Sequence, residues 1–417
     1  MTIDRVAEVL AGLPVTRGWQ EALYRDLHQH PELSFQEHRT AELVADKLTE
    51  FGYQVHDGVG GTGVVGILRN GAGPAVLLRA DMDALPVAED TGLPYASTVR
   101  STDASGTEVP VMHACGHDTH VTCLLGAAQL LAQGQKHWQG TLIALFQPAE
   151  ENGGGAARMV QDGLAGICGK VDVALAQHVG PGPAGFVGTC SGPMLAAADS
   201  IRVTVFGRGG HGSMPQATVD PVVLAAMIVI RLQTIVSREV LPSDTVVLTV
   251  GSIHAGTKSN VIGDHAVLEL SLRTYSEDVR ASVIAAIKRI VVAECQASDS
   301  PRDPEIEFGD RFPVTVNDAA TTERVAAAFT GHFGDRAFPI PPLTGSEDFS
   351  AIPDALGVPY CYWGFGGIDV QTFIEAADGG RWHQDIPTNH APNFAPVIQP
   401  TLDTGTEALV AAALVWL

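Results

Sequence analysis

Residues 112–120 read MHACGHDTH. They set a thiol and an imidazole one residue apart, Cys115 and His117, with His113 and His120 on either side. Thiolate and imidazole are both metal ligands, so three kinds of chemistry fit: thiol redox chemistry, a structural metal, or a catalytic metal. Further along, QPAEE places Glu150 beside Glu151, and VALAQHV carries His178. Adjacent carboxylates allow a division of labour, one binding a cation while the other stays free as a general base for water. A structural zinc site is closed, with Cys and His ligands, and has no use for a spare Glu, so the pair favours hydrolysis. No resolving cysteine lies near Cys115 in sequence, which argues against redox chemistry. Thiolate, imidazole and carboxylate together suit zinc best, with manganese, cobalt and nickel also fitting.

These residues can act together only if the fold delivers them to one place. Residues 19–29 and 37–51 have helical spacing of apolar positions, as has HVTCLLGAAQLLAQ. GTGVVGILRN, PAVLLRADMDALP, GTLIALFQPAEE and VDVALAQHV read as strands. Continuous apolar strands alternating with helices predict a largely parallel sheet covered on both faces. The carboxyl ends of parallel strands line one edge, where ligands bind. Asp81 and Asp83, Glu150 and Glu151, and His178 all fall at such ends, and HACGHD lies in the loop before a helix at the same edge. Taken singly each has a bland reading: Cys115 as a small buried hydrophobe, His178 as a satisfied strand histidine, the glutamates as a solvated turn. Their shared edge is what points to a site.

The middle of the chain has a different rhythm. A strand (SIRVTVFG), a helix opened by Asp220-Pro221, two strands, a helix opened by Ser and acids, and a last strand (PEIEFGD) follow in order. This β-α-β-β-α-β series is the split βαβ plan of a small two-layer domain. It is placed at 197–309, interrupting a larger domain built from 1–196 and 310–417.

The bulk numbers exclude several classes. The chain has 417 residues, more than one core usually holds, and 45% hydrophobic with 17% charged residues suits a folded enzyme. Its formal charge of −22 repels nucleic acid and anionic membranes. Apolar runs such as VVLAAMIVI fall short of the ~20 residues of a membrane span. The start, MTIDRVAEVLAGLP, carries acids among its apolar residues and has no basic start or cleavage pattern, so no signal peptide is expected. The six cysteines are scattered without a CxxC, which suits reduced thiols and a cytoplasmic protein.

Seven stretches in order, LRADMDALP, HACGHDTH, QPAEE, GRGGHGSMPQATVDP, NVIGD, GSEDFS and TNHAPNFAP, resemble the metal-dependent aminoacylase and carboxypeptidase family, in its hippurate hydrolase and indole-acetyl-amino-acid hydrolase branch. The likeness runs from about residue 20 to the C-terminus. It implies an α/β catalytic domain with two metals, a mostly parallel sheet flanked by helices, and an inserted α+β lid that also dimerises. The ligands map onto Cys115, His117, Glu151, His178 and His390, the general base onto Glu150, and the carboxylate supporting a metal ligand onto Asp83; Asp81 then only shapes the turn. On the lid, resemblance assigns His211 to the oxyanion, in some relatives from the neighbouring subunit, against a plain reading as a turn histidine whose flanking glycines take positive φ. Asn260 matches a substrate-positioning amide. Arg273 either grips the substrate carboxylate or is an ordinary strand arginine in a surface ion pair. Glu347 and Asp348 fall in a loop near the site. Gln216 and Gly263 stand where the family often has His and Pro, and the stretch near 96–110 is long; these bear on specificity.

The expected activity is therefore hydrolysis of the amide of an N-acyl amino acid, a small-molecule substrate, by a homodimer holding two divalent ions, most suitably zinc. The alternatives are a dipeptidase or carboxypeptidase of the same family and a non-catalytic metal-binding relative.

Overall fold

A computed structural model describes residues 2–417. The chain divides into two compact units: Met1–Met194, Val316–Pro341 and Asp348–Leu417 form the first, and Leu195–Thr315 with Pro342–Glu347 the second.

The first unit carries an eight-stranded sheet in the order Gln54–Val59, Gly63–Asn70, Gly140–Gln147, Ala75–Asp81, Val173–Pro183, Tyr360–Ile368, Val187–Thr189, Ala337–Pro339. The four central strands, from Gly140–Gln147 to Tyr360–Ile368, are parallel. The expected parallel sheet is thus its centre; the margins are mixed. Gln54–Val59 and Gly63–Asn70 form an antiparallel hairpin, and Gly63–Asn70 runs antiparallel to Gly140–Gln147. In the strand Ala75–Asp81, Val76, Leu77 and Leu78 are all fully buried. Side chains alternate faces along a strand, so three consecutive buried residues mean that both faces are covered. Helices Leu13–Gln29, His117–Gln133 and Ile398–Ala413 pack on one another and share one apolar core with the sheet. His117–Gln133 is buried almost all round because alanine, leucine and glycine occupy positions where an amphipathic helix would carry charges.

The second unit is a four-stranded antiparallel sheet in the order Val246–Ala255, His265–Thr274, Ala197–Phe206, Glu305–Phe312. Helices Pro221–Arg238 and Glu277–Ala297 pack on it, giving the split βαβ arrangement. Both start where capping chemistry places them. The Asp220 side chain accepts the Val222 N–H with Pro221 at the first helical position, and Ser276 accepts the Val279 N–H with Glu277 and Asp278 in the first turn. Leu224, Ile228, Leu232 and Ile235 turn inward, whereas Val222, Val223, Met227 and Ile230 are exposed. With both faces apolar, the 18-residue Pro221–Arg238 is long and apolar enough to cross a membrane by length and composition alone. The expectation that no segment approaches a span is corrected to that extent; the inward half of this helix is core.

Candidate metal centre and active site

The parallel strands of the first unit deliver the site. Ala75–Asp81 ends at Asp81, followed by Asp83; Gly140–Gln147 is followed by the turn that carries Glu150 and Glu151; His178 lies in Val173–Pro183. Cys115 precedes helix His117–Gln133, whose N-cap is the left-handed Gly116, and His117 is the first helical residue. His390 arrives from a loop near the C-terminus, where its backbone N–H bonds the Ala114 carbonyl at 2.8 Å.

Each imidazole is aimed by its second nitrogen. His117 Nδ1 donates to the Asp83 carbonyl (2.9 Å), which leaves Nε2 as the nitrogen facing the site. His178 Nδ1 donates to the Val179 carbonyl (2.7 Å), leaving Nε2 facing the Cys115 sulfur at 3.5 Å. His117 Nε2 and Glu151 Oε1 are both buried without a hydrogen-bond partner, and they stand 3.8 Å apart. His390 Nε2 lies 3.4 Å from Glu151 Oε2. Zinc bonds of ~2.0–2.3 Å leave neighbouring tetrahedral ligand atoms ~3.3–3.8 Å apart. The observed separations therefore suit shared cations better than direct hydrogen bonds, and the donor set fits divalent metal ions. Cys115, His117 and Glu151 form one metal-capable cluster.

A second geometric grouping, Asp81, His117, His120 and His178, is less convincing as a ligand set. His120 Nε2 accepts the Val179 N–H at 2.8 Å while Nδ1 donates to Asp81 at 2.5 Å. Both nitrogens of His120 are engaged, so it supports the site rather than binding metal. Asp81 is more than a turn former: fully buried, it also takes a bond from Arg79 (2.6 Å) and lies 3.7 Å from His117 Nε2.

The field at the site is negative. Burial opposes a charge on His117, but Asp81, Asp83 and Glu151 outweigh it and push the imidazole up to about 10. Burial, opposed by His117, pushes Glu151 up to about 8. Burial, then the charges of Glu151 and Glu150, drives the Cys115 thiol well above its usual range. The same carboxylates that favour a proton on His117 favour any cation at that nitrogen, and a bound cation is what would let Cys115 act as thiolate.

Asp83 is the organiser. Its Oδ1 accepts the Glu150 N–H and its Oδ2 the Glu151 N–H, both at 3.1 Å; Ser34 donates to Oδ2 at 2.7 Å, and His117 Nδ1 is 3.3 Å from Oδ1. One carboxylate thus orients a histidine and both glutamates. Glu150 is buried, its Oε2 3.9 Å from His117 Nε2. Asn389 was not singled out in the sequence. Its amide donates to the Cys115 and Val179 carbonyls, each at 3.1 Å, tying together the loops of three ligand candidates; its position beside His390 was the available signal. Asp348, buried, accepts Gln147 Nε2 (2.5 Å) and the Ala156 N–H (3.0 Å), a structural role.

His211, Asn260 and Arg273 belong to the second unit. His211 is exposed on one strand of a two-stranded ribbon and Asn260 is exposed in the turn just before the other, Val261–Ile262, the Gly212 N–H bonding the Asn260 carbonyl at 2.8 Å. His211 Nδ1 accepts the Ser213 N–H at 3.1 Å. The glycines flanking His211 do not take positive φ; a side chain at Gly209 or Gly212 would crowd the Ile262 carbonyl or the Asn260 backbone, so close strand approach is their reason. Arg273 Nη1 bonds the Thr344 carbonyl and Ser346 Oγ, both at 2.8 Å, a different arrangement from a surface ion pair.

Residues 77–378 match the model of peptidase family M20/M25/M40. The chain is 40% identical over 339 residues to a hippurate hydrolase of Campylobacter jejuni, covering 80% of this chain and 84% of that one. It is 38% identical over 354 residues to thermostable carboxypeptidase 1 of Saccharolobus solfataricus, covering 84% and 86%. A crystal structure of a dinuclear metal-binding M20 peptidase from Bacillus subtilis superposes with a TM-score of 0.76 at 27% identity, over 96% of this chain and 98% of that one.

Proposed function

We propose, from the premise that the chain belongs to peptidase family M20/M25/M40 and is a hydrolase of linear amides, that it cleaves N-acyl amino acids into a carboxylic acid and a free amino acid. The observation that carries the reading is Glu150, a buried carboxylate outside the proposed ligand set that stands beside it, 3.9 Å from His117 Nε2. The name of the hippurate hydrolase relative supports an acyl amino acid as substrate. In this reading Cys115, His117, Glu151, His178 and His390 hold two divalent cations, for which zinc suits the mixed sulfur, nitrogen and oxygen donors.

Divalent cations held by these residues would supply Lewis-acid chemistry to the water and the acyl carbonyl. Glu150 takes the proton of the attacking water on its carboxylate and passes it to the leaving amine. Asp83 fixes Glu150 through the backbone N–H and keeps His117 in the tautomer that presents Nε2. His211 is assigned to the oxyanion and Asn260 to the substrate amide on resemblance. Arg273, with Nη1 engaged by Thr344 and Ser346, would meet a substrate carboxylate through its other guanidinium donors.

A homodimer and a cytoplasmic setting belong to the same proposal. Helix Pro221–Arg238 exposes Val222, Val223, Met227 and Ile230, and the sheet beside it ends in the open edge strand Val246–Ala255, a surface suited to a second copy. All six cysteines are free and buried, which suits a reducing compartment.

The test is hydrolysis of a panel of N-acyl amino acids and free dipeptides by metal-stripped protein given back Zn²⁺, Mn²⁺ or Co²⁺. Metal-restored release of amino acid from the acyl substrates is the expected result. Turnover of dipeptides alone would move the activity to the peptidase side, the reading favoured by the carboxypeptidase relative. Tight metal binding with no turnover would favour a binding protein.

A further inference from the structure

Among the described residues, four other than glycine adopt left-handed backbone, Phe35 (φ 62°), Ala149 (φ 49°), Asp299 (φ 54°) and His390 (φ 72°). A side chain makes that conformation unfavourable, so it persists only where surrounding bonds enforce it. Two of the four are enforced by one atom. Glu37 Oε1 accepts the Phe35 N–H at 2.9 Å and the Ala149 N–H at 2.8 Å, while Oε2 accepts the Thr62 hydroxyl at 2.5 Å. The Glu37 carboxyl is fully buried.

Ala149 immediately precedes Glu150. Its carbonyl accepts the Gly155 N–H at 3.1 Å, and Gly155 packs so tightly on the turn that a Cβ there would lie 1.6 Å from the Pro148 carbonyl oxygen. The N–H groups of Ala149, Glu150 and Glu151, three in succession, are thus taken up by two buried carboxylates, Glu37 for the first and Asp83 for the next two. Asp83 is bonded to groups that touch the proposed cations. Glu37 bonds the turn only through the Ala149 N–H, its other partners being the Phe35 N–H and the Thr62 hydroxyl, yet the direction in which Glu150 leaves the backbone depends on the φ that Glu37 maintains.

We propose that Glu37 is a positioning residue for Glu150, clamping the left-handed turn at Ala149 so that the carboxylate of the base meets the reacting water. The inference rests on Glu150 being the base. Glycine adopts left-handed φ without strain, so the clamp becomes dispensable when residue 149 is glycine. That gives a readout a merely structural carboxylate would not produce.

In full-length, metal-loaded protein, Glu37→Ala lowers kcat roughly 10–100-fold, the scale of a small misplacement of a reacting group. KM and metal content per chain stay close to those of the parent. Glu37→Gln, which keeps an oxygen for both N–H groups, retains most of the rate. Ala149→Gly in the Glu37→Ala background recovers most of the lost kcat. The proposal is overturned if Glu37→Ala leaves kcat within about twofold, or if Ala149→Gly recovers none of the loss. Should Glu37→Ala fail to fold, Ala149→Val with Glu37 intact decides: a β-branched residue opposes left-handed φ and lowers kcat at constant metal content, and an unchanged kcat overturns the proposal. Glu150→Gln is assayed alongside. If it keeps its rate, the base assignment has failed; if it loses its rate while Glu37→Ala does not, only the clamp has failed.

Discussion

Asp83 in the first unit and Asp199 in the second are equally buried, each 1% exposed. Asp199 is matched by cations: Arg280 approaches it with Nε at 2.7 Å and Nη2 at 2.9 Å, and Arg311 Nε at 2.8 Å. Asp83 takes its bonds from backbone N–H groups, a hydroxyl and an imidazole, and those N–H groups belong to two further acids, Glu150 and Glu151. Around Asp199 the charge closes within the protein. Around Asp83 it does not: Asp81, Asp83, Glu150 and Glu151 surround His117, whose Nε2 has no hydrogen-bond partner, beside the equally unpartnered Oε1 of Glu151. Burial of a charge is ordinary when it is paired; an unbalanced buried cluster of donors is the mark of a ligand to come.

The contrast is broken most severely at Glu150. Glu150→Gln is expected to lower kcat ~10²–10⁴-fold while metal content, measured on dialysed protein, is retained. Asp83→Asn keeps one acceptor of two and is expected to weaken metal affinity or activity ~10–100-fold, seen as a rightward shift in metal titrations of stripped protein. Asp199→Ala leaves two arginines facing a lost partner, of which Arg280 is buried. It should destabilise the fold by ~3–5 kcal/mol in denaturant melts, with kcat per folded molecule unchanged. A drop in kcat there, or a normal melt, would erase the distinction between the two aspartates.

The mildest test concerns a third buried network. His28 Nδ1 lies 2.7 Å from Asp118 and Nε2 3.0 Å from Glu89, all with side chains out of solvent. Burial opposes its charge, but the hydrogen bonds to Asp118 and Glu89 outweigh it and push His28 up to about 10. A folded value raised above the unfolded one means that the unfolded chain releases this proton first. The stabilisation is therefore complete below about pH 6.5 and is lost progressively as pH rises towards 10, by up to ~1.4 kcal/mol per pH unit. Urea melts of the parent and of His28→Gln should converge across that window; parallel curves would show that His28 is not charged in the folded protein.

Much of the site was legible because continuous apolar strands, buried on both faces, mark where a parallel sheet ends. Asp81, Glu150, Glu151 and His178 could be grouped from strand ends alone, and Cys115 with His117 from the start of an apolar helix. His390 could not, since no local pattern says that a loop so distant in sequence returns to 3.4 Å from Glu151; resemblance supplied it. Asp81 was underestimated because the turn hides its burial, although Arg79 two residues earlier on the same strand face was a cue to an internal ion pair. Glu37 and Asn389 act through backbone N–H and carbonyl groups, which sequence does not display. In the second unit the strand and helix order was readable from alternation and capping. The association of residues 342–347 with that unit depends on bonds such as Arg273 to Thr344, a tertiary matter.

The spread of the donor set has a consequence for biosynthesis. Cys115, His117, Glu151 and His178 occupy the first half of the chain, and His390 comes close to its end. A nascent chain emerging from the ribosome carries four donors and their acidic surroundings through the whole synthesis of the second unit before the fifth exists. On the proposed assignment, only arrival of the loop that carries His390, 3.4 Å from Glu151, completes the set.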